Sequence, residues 1–141
     1  MRIKNIHFTN FRNFENKTFD FKNVNLILGP NASGKSTVLE GINILSTGKS
    51  SRANVESELV SFNKHTGFVE GVIDKENEEV RLFARFVNAE YKSNKSKKQI
   101  KVNGVPRLVS SFVGNFTCVL FTPEDMNMIL GSPSIRRKYL D

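Results

Sequence analysis

The residues Gly29-Pro30-Asn31-Ala32-Ser33-Gly34-Lys35-Ser36 match the pattern GxxxxGK[ST] without a mismatch. Residues of these types at this spacing hold a phosphate chain. Glycines let the backbone come close and turn its N–H groups inward. Lys35 brings a point charge to the terminal phosphates, and the Ser36 hydroxyl is of the kind that ligates Mg²⁺. Thr37 completes the candidate nucleotide-binding set. The expected ligand is therefore a nucleoside triphosphate, ATP, with Mg²⁺ as its metal.

Such a loop works only between a strand and a helix. The apolar run Val24-Asn25-Leu26-Ile27-Leu28 precedes it and reads as a strand covered on both faces. A helical run, Thr37 to Leu45, follows, with Val38, Leu39, Ile42 and Leu45 expected on one face. Its positive N-terminal end faces the same anion. Gly41, which costs about 1 kcal/mol against Ala in a helix, implies close packing on the sheet.

The first residues alternate as antiparallel strands, Ile6 and Phe8 on one arm and Phe19 and Phe21 on the other, around the turn Asn10-Phe11-Arg12-Asn13-Phe14. A hairpin is expected from Phe68 to Ile73 and Val80 to Val87, turned by Asp74-Lys75-Glu76-Asn77. Val80, Leu82, Ala84 and Phe86 share one face of its second arm. Glu56 to Phe62 reads as a short helix, and Asn103-Gly104 as a tight turn after Ile100 and Val102. Thr117 to Phe121 reads as a second fully buried strand. Thr122-Pro123-Glu124-Asp125 starts a helix that Gly131 stops, and Ser132-Pro133 starts another. That last pattern runs to Asp141 with no terminating signal, as in a truncated chain.

The 141 residues amount to one domain or part of one, with 38% hydrophobic and 25% charged residues. Lys and Arg exceed Asp and Glu by 21 to 14, a net charge of +7 that favours polyanionic partners. The single cysteine, Cys118, excludes an internal disulfide and, in its apolar run, reads as a buried structural thiol. A signal region and a membrane-spanning stretch are both lacking, so a cytoplasmic location without membrane contact is expected.

Hydrolysis requires an acid that holds Mg²⁺ and a group that orients water. Asp74 is one candidate, but it lies in a hairpin arm. Glu124 and Asp125 are others, better explained by helix N-terminal electrostatics. No catalytic residue is assigned. His7 and His65 have no metal-ligand spacing to Cys118, and no nucleophilic triad stands out.

Three blocks together resemble one family. They are Asn10 to Phe14; Leu45-Ser46-Thr47-Gly48-Lys49-Ser50-Ser51-Arg52; and Val119 to Asp125 continuing through Gly131-Ser132-Pro133-Ser134-Ile135-Arg136-Arg137-Lys138-Tyr139-Leu140-Asp141. The pattern is similar to the N-terminal part of the RecF family of bacterial recombination mediators. The resemblance implies an α/β P-loop NTPase fold: the N-terminal lobe of an ABC/SMC-like ATPase head with an antiparallel β subdomain, residues 1–141 forming one truncated domain. It implies an ATP-dependent DNA-binding protein of replication, gap repair and the SOS response. Its expected partners are single-stranded or gapped double-stranded DNA, a second copy in an ATP-dependent homodimer, and other recombination mediators. It also makes Arg12 a candidate phosphate contact, with a solvated turn residue as the alternative.

Ala32-Ser33 stands where this family commonly has Gly-Gln, and Ser36 where Thr is common. Ala32 reaches positive φ at higher cost than Gly. The signature and acidic motifs lie further along the family's chain, so this chain is expected to bind ATP and not turn it over alone. The lysines Lys92, Lys95, Lys97 and Lys98 are candidate DNA backbone contacts, with a solvated hairpin tip as the alternative. The other readings of the whole are a different SMC-like P-loop ATPase of DNA metabolism or defence, and a non-catalytic nucleic-acid-binding module.

Overall fold

The computed structural model describes residues 1–76, 78–91, 98–134 and 137. Its centre is an antiparallel six-stranded sheet in the order β2-β1-β3-β4-β5-β6. The strands are β1 (Arg2–Phe11), β2 (Phe14–Asp20), β3 (Thr66–Lys75), β4 (Glu78–Val87), β5 (Gln99–Val102) and β6 (Val105–Pro106). Helix α1 (Lys35–Thr47) lies across one face. Short helices α2 (Val109–Phe112) and α3 (Asn127–Leu130) follow the sheet.

Period-two alternation made the sheet legible. Ile6 and Phe8 in β1, Val69 and Ile73 in β3, and Leu82, Ala84 and Phe86 in β4 point into one core with Val38, Ile44 and Leu45 of α1. The β3–β4 hairpin pairs Phe68 with Arg85 and Ile73 with Val80 as expected. Its turn is tighter than the sequence implied, because Asp74 and Lys75 pair with Glu79 and Glu78 inside the ladder; Asn77 lies outside the described residues. Asn103 and Gly104, both at positive φ (50° and 78°), make the tight β5–β6 turn. Glu56–Leu59 forms a single 3₁₀ turn.

Two glycines set the distance between helix and sheet. A Cβ on Gly41 would lie 2.3 Å from Phe8 Cε1, and one on Gly71 would lie 2.4 Å from Leu45 Cδ1. Gly41 is therefore the close-packing residue that its helical position implied. Gly48 closes α1 at φ 70°, its N–H donating to the Ile44 carbonyl at 2.8 Å.

Three expectations need correction. The helix face is turned: Thr37, Val38, Glu40, Gly41, Ile44 and Leu45 are buried, whereas Leu39 is 45% exposed. Val24 to Leu28 and Thr117 to Phe121 are not strands and are not buried. Val24, Leu26 and Leu28 are 80% exposed or more, Val119 is 96% exposed and Phe121 is 67% exposed. A buried strand needs ladder partners and cover on both faces. Here Ile27 and Cys118 pack against the core on one side only, and the sheet closes its ladders without them. For the same reason Cys118 is half-buried and not buried outright.

Candidate functional site

The segment Gly29 to Ser36 bends directly into α1. Gly34 is the residue before the helix and takes φ 98°, which only glycine adopts cheaply. Lys35, Ser36 and Thr37 are then the first helical residues, whose amide N–H groups lack acceptors in a preceding turn. At a helix N-terminus such amides and the helix dipole favour an anion. The Lys35 ammonium curls back over the loop and donates to the carbonyls of Gly29 (2.8 Å) and Pro30 (2.7 Å). The loop thus forms a small concavity with a cation on its rim. Asn31, Ala32, Ser33 and Ser36 are exposed on it. Ala32 sits at φ 64°, the strained conformation its side chain resists.

The β1–β2 turn braces this loop from the side. Asn13 Nδ2 donates to the Ala32 carbonyl at 3.4 Å, and Thr37 Oγ1 donates to Asn13 Oδ1 at 3.2 Å. The Phe14 ring lies where a Cβ on Gly34 would be, 2.5 Å away. Arg12, at φ 53°, reaches under the helix to Glu40: Nε to Oε2 at 3.1 Å and Nη2 to Oε1 at 2.8 Å.

Residues 5–118 match the AAA domain family. The chain belongs to the AAA domain family. Along all of its length it is similar to RecF, "DNA replication and repair protein RecF". Identity is 36% with the Staphylococcus haemolyticus protein and 38% with that of Thermoanaerobacter sp., each over 143 residues. The chain spans 37% and 38% of those relatives' lengths. A solved structure of the recombination mediator protein RecF-ATP in the RecFOR pathway matches with 38% identity and a TM-score of 0.80, covering 99% of this chain and 38% of that one. The SMC head domain from Thermotoga maritima matches at 22% identity and TM-score 0.65, over 83% of this chain and 43% of that one, which shows a shared fold. The mixed α/β fold expected of a P-loop head with an antiparallel β subdomain is the one observed.

Within this AAA domain the structure gathers some of the sequence candidates and scatters others. Gly29 to Thr37 and Arg12 come together around the start of α1. Arg12 is only 26% exposed in its side chain, and its Nη1 donates to the Glu58 carbonyl at 3.1 Å. Asp74 is remote from the loop: it pairs with Arg2 at 3.3 Å on the far end of β3. Asp125 lines a cleft with Ser36, Leu39, Glu40, Arg52 and Thr122. Its Oδ2 is already used by Thr122, whose N–H donates at 2.6 Å and whose Oγ1 donates at 2.9 Å. Asp125 thus reaches back to the residue before its own helical turn, whereas the sequence pattern implies an electrostatic role for it and the capping hydroxyl for Thr122.

Lys92, Lys95 and Lys97 lie outside the described residues. Lys98 pairs with Glu56 and stands 5.5 Å from the centre of the Phe86 ring, so its charge is engaged within the fold. His7 bridges Thr18 and Thr9 through its two ring nitrogens, at 2.8 and 3.1 Å. No cluster of His, Cys, Asp or Glu among the described residues has metal-binding geometry.

Sequence reasoning missed Glu40. Its carboxylate is fully buried and takes Arg12, the Ser50 hydroxyl (2.5 Å) and Arg52 (3.7 Å). The signal was present: Thr37, Glu40, Gly41 and Ile44 fall at i, i+3, i+4 and i+7, which puts an acid on the buried stripe of the helix.

Proposed function

We propose that this chain is the nucleotide-binding N-terminal lobe of a RecF-type ATPase. In this reading it binds ATP with Mg²⁺ through Gly29 to Thr37 and acts on DNA in replication and repair. The observation that carries it is the loop itself. Positive-φ Gly34, the free amides of Lys35 and Ser36, and a lysine ammonium held over two loop carbonyls form a cradle that fits a triphosphate. The Lys35 ammonium would leave its carbonyls to neutralise phosphate oxygens. The exposed Ser36 hydroxyl would supply a hard oxygen ligand suited to Mg²⁺. When bound, the metal screens the phosphate charge.

In the same reading the protein works in the cytoplasm as an ATP-dependent homodimer on single-stranded or gapped DNA. It serves gap repair and the SOS response alongside other recombination mediators. Residues 1–141 form part of one head. The exposure of Val24, Leu26, Leu28, Val119 and Phe121 supports this, because apolar side chains bared in such number are commonly covered by another packing layer. Half a head is expected to bind ATP without turning it over.

The test is calorimetric titration of ATP with Mg²⁺ into the wild-type chain, and into the longer reading frame that carries it, beside the Lys35→Ala variant. The expected result is binding that Lys35→Ala weakens at least about tenfold, the worth of one charge-assisted contact. Absence of binding in the longer wild-type protein would sink the reading.

A further inference from the structure

Glu40 lies inside the phosphate-loop helix, one turn after Ser36, and the partners of its carboxylate come from outside that loop. A carboxylate without exposed surface is held charged only by partners that repay its lost hydration. Glu40 collects them from three separate pieces of chain. Arg12 comes from the β1–β2 turn and donates through two nitrogens. Ser50 comes from the loop after α1; its oxygen also accepts the N–H groups of Arg52 (3.0 Å) and Ala53 (2.9 Å). Arg52 adds a second guanidinium at 3.7 Å.

Two arginines on one buried carboxylate leave a local surplus of positive charge around Glu40, which the exposed Glu58 on the same cleft offsets only through water. The protein does not bury that surplus. The Arg12 and Arg52 side chains remain 26% and 54% exposed, and both line a cleft of about 570 Å³ with Asn13, Thr37 and one exposed acid, Glu58. Thr37 is the third residue of α1, so the cleft borders the first turn of the phosphate-loop helix. Arg12 is also fixed from the other side, by Nη1 on the Glu58 carbonyl and by its own N–H on the Leu59 carbonyl at 2.8 Å. A guanidinium so restrained loses little freedom when a ligand oxygen arrives.

We propose that Glu40 is a positioning residue, which from within the helix sets Arg12 and Arg52 as a paired cationic wall for the phosphate end of a bound nucleotide. The inference rests on the phosphate-loop reading above and adds to it the way the second cationic side of the site is built.

The test is a mutant cycle on nucleotide affinity in the longest soluble form of the protein. It titrates ATP with Mg²⁺ into wild type, Glu40→Gln, the double variant Arg12→Gln/Arg52→Gln, and the triple variant. Thermal unfolding of each variant accompanies the titrations. Glu40→Gln is expected to weaken ATP about tenfold, as for one lost charge-assisted contact, and to flatten the dependence of affinity on salt. The triple variant is expected to bind like the double, since no guanidinium remains to be positioned. Wild-type affinity in Glu40→Gln overturns the proposal. So does an equal loss from Glu40→Gln whether the arginines are present or not, which is what a purely structural residue gives. If Glu40→Gln does not fold, Glu40→Asp keeps the charge but withdraws it by one methylene; several-fold weaker binding supports the proposal and unchanged binding overturns it. A wild-type protein that binds no nucleotide fails at the earlier step, and Lys35→Ala identifies that case separately.

Discussion

Replacing Gly41 by Ala should destabilise this protein, although the same change on a free helix does the opposite. Removing glycine from a helix interior gains about 1 kcal/mol. Here the new Cβ would stand 2.3 Å from Phe8 Cε1, 2.6 Å from Phe8 Cζ and 3.1 Å from Ile6 Cδ1. Ordinary contact begins near 3.4 Å, so helix and ring must part by about 1 Å. The ring has little room to turn, because Phe11, Phe14 and Phe19 surround it at centroid distances of 5.4, 5.3 and 6.1 Å. Overpacking of an enclosed site costs about 1–3 kcal/mol, and the upper end applies where both partners are confined. The net loss is then about 2 kcal/mol. At this chain length that corresponds to about 6–8 °C in Tm. Circular dichroism melts and urea midpoints of Gly41→Ala beside wild type measure it. The displacement should also reach the phosphate loop, since Phe8 packs on Phe14 and Phe14 lies against Gly34. Nucleotide affinity should fall with stability. A rise in Tm near the helix-propensity gain would refute the reasoning, because it would mean that helix and sheet are not in tight contact at Gly41.

Ala32→Gly should stabilise the loop by about 0.5–1 kcal/mol and leave or improve ATP affinity, because it removes the strain of φ 64°; a lower urea midpoint would contradict this. Arg12→Ala should cost about 3 kcal/mol in urea unfolding, since it strips the main partner from a fully buried carboxylate. Arg52→Ala should cost under about 1 kcal/mol, because that pair is longer and half in water. Equal effects from the two arginines would show that burial of Glu40 is not what separates them. Asn13→Ala should change stability little, as Asn13 is exposed, yet weaken ATP about threefold to tenfold through loss of its bridge from Ala32 to Thr37. Unchanged affinity would mean the bridge does not order the loop.

The local devices of this fold were written plainly in the chain. Alternation over Ile6 and Phe8, and over Leu82, Ala84 and Phe86, gives strands because one face of the sheet is core and the other is solvent. Asn103-Gly104 turns because its backbone needs two positive φ values. The phosphate loop is legible because its chemistry demands glycine and lysine at fixed spacing. The failures have one physical origin: composition reports what a residue requires and not whether the requirement is met. Val24-Asn25-Leu26-Ile27-Leu28 is apolar enough for a doubly covered strand, but among the described residues its outer face has no cover. The misjudged face of α1 is a different case. Leu39 and Ile42 outweighed Glu40 by hydrophobicity, and only the three-dimensional arrival of Arg12, Ser50 and Arg52 makes an acid tolerable inside.

The same facts determine which side of the phosphate loop is firm. On its helical side it is fastened to α1, to Asn13 and, through Gly34, to the aromatic cluster around Phe8. On its leading side Val24, Leu26 and Leu28 stand in solvent outside any strand ladder. A loop held at one end can adapt, and adaptation costs binding energy that a preorganised cradle keeps. The Lys35 ammonium, seated on Gly29 and Pro30 carbonyls, must also break two hydrogen bonds before it meets a phosphate. The first of these costs falls, and affinity rises, if the leading segment gains a ladder partner and a cover. The rise would come from fewer states to be ordered and not from new contacts to the nucleotide. That is the physical reason to compare ATP binding by the 141-residue chain with that of a protein of its RecF relatives' full length at the same salt concentration.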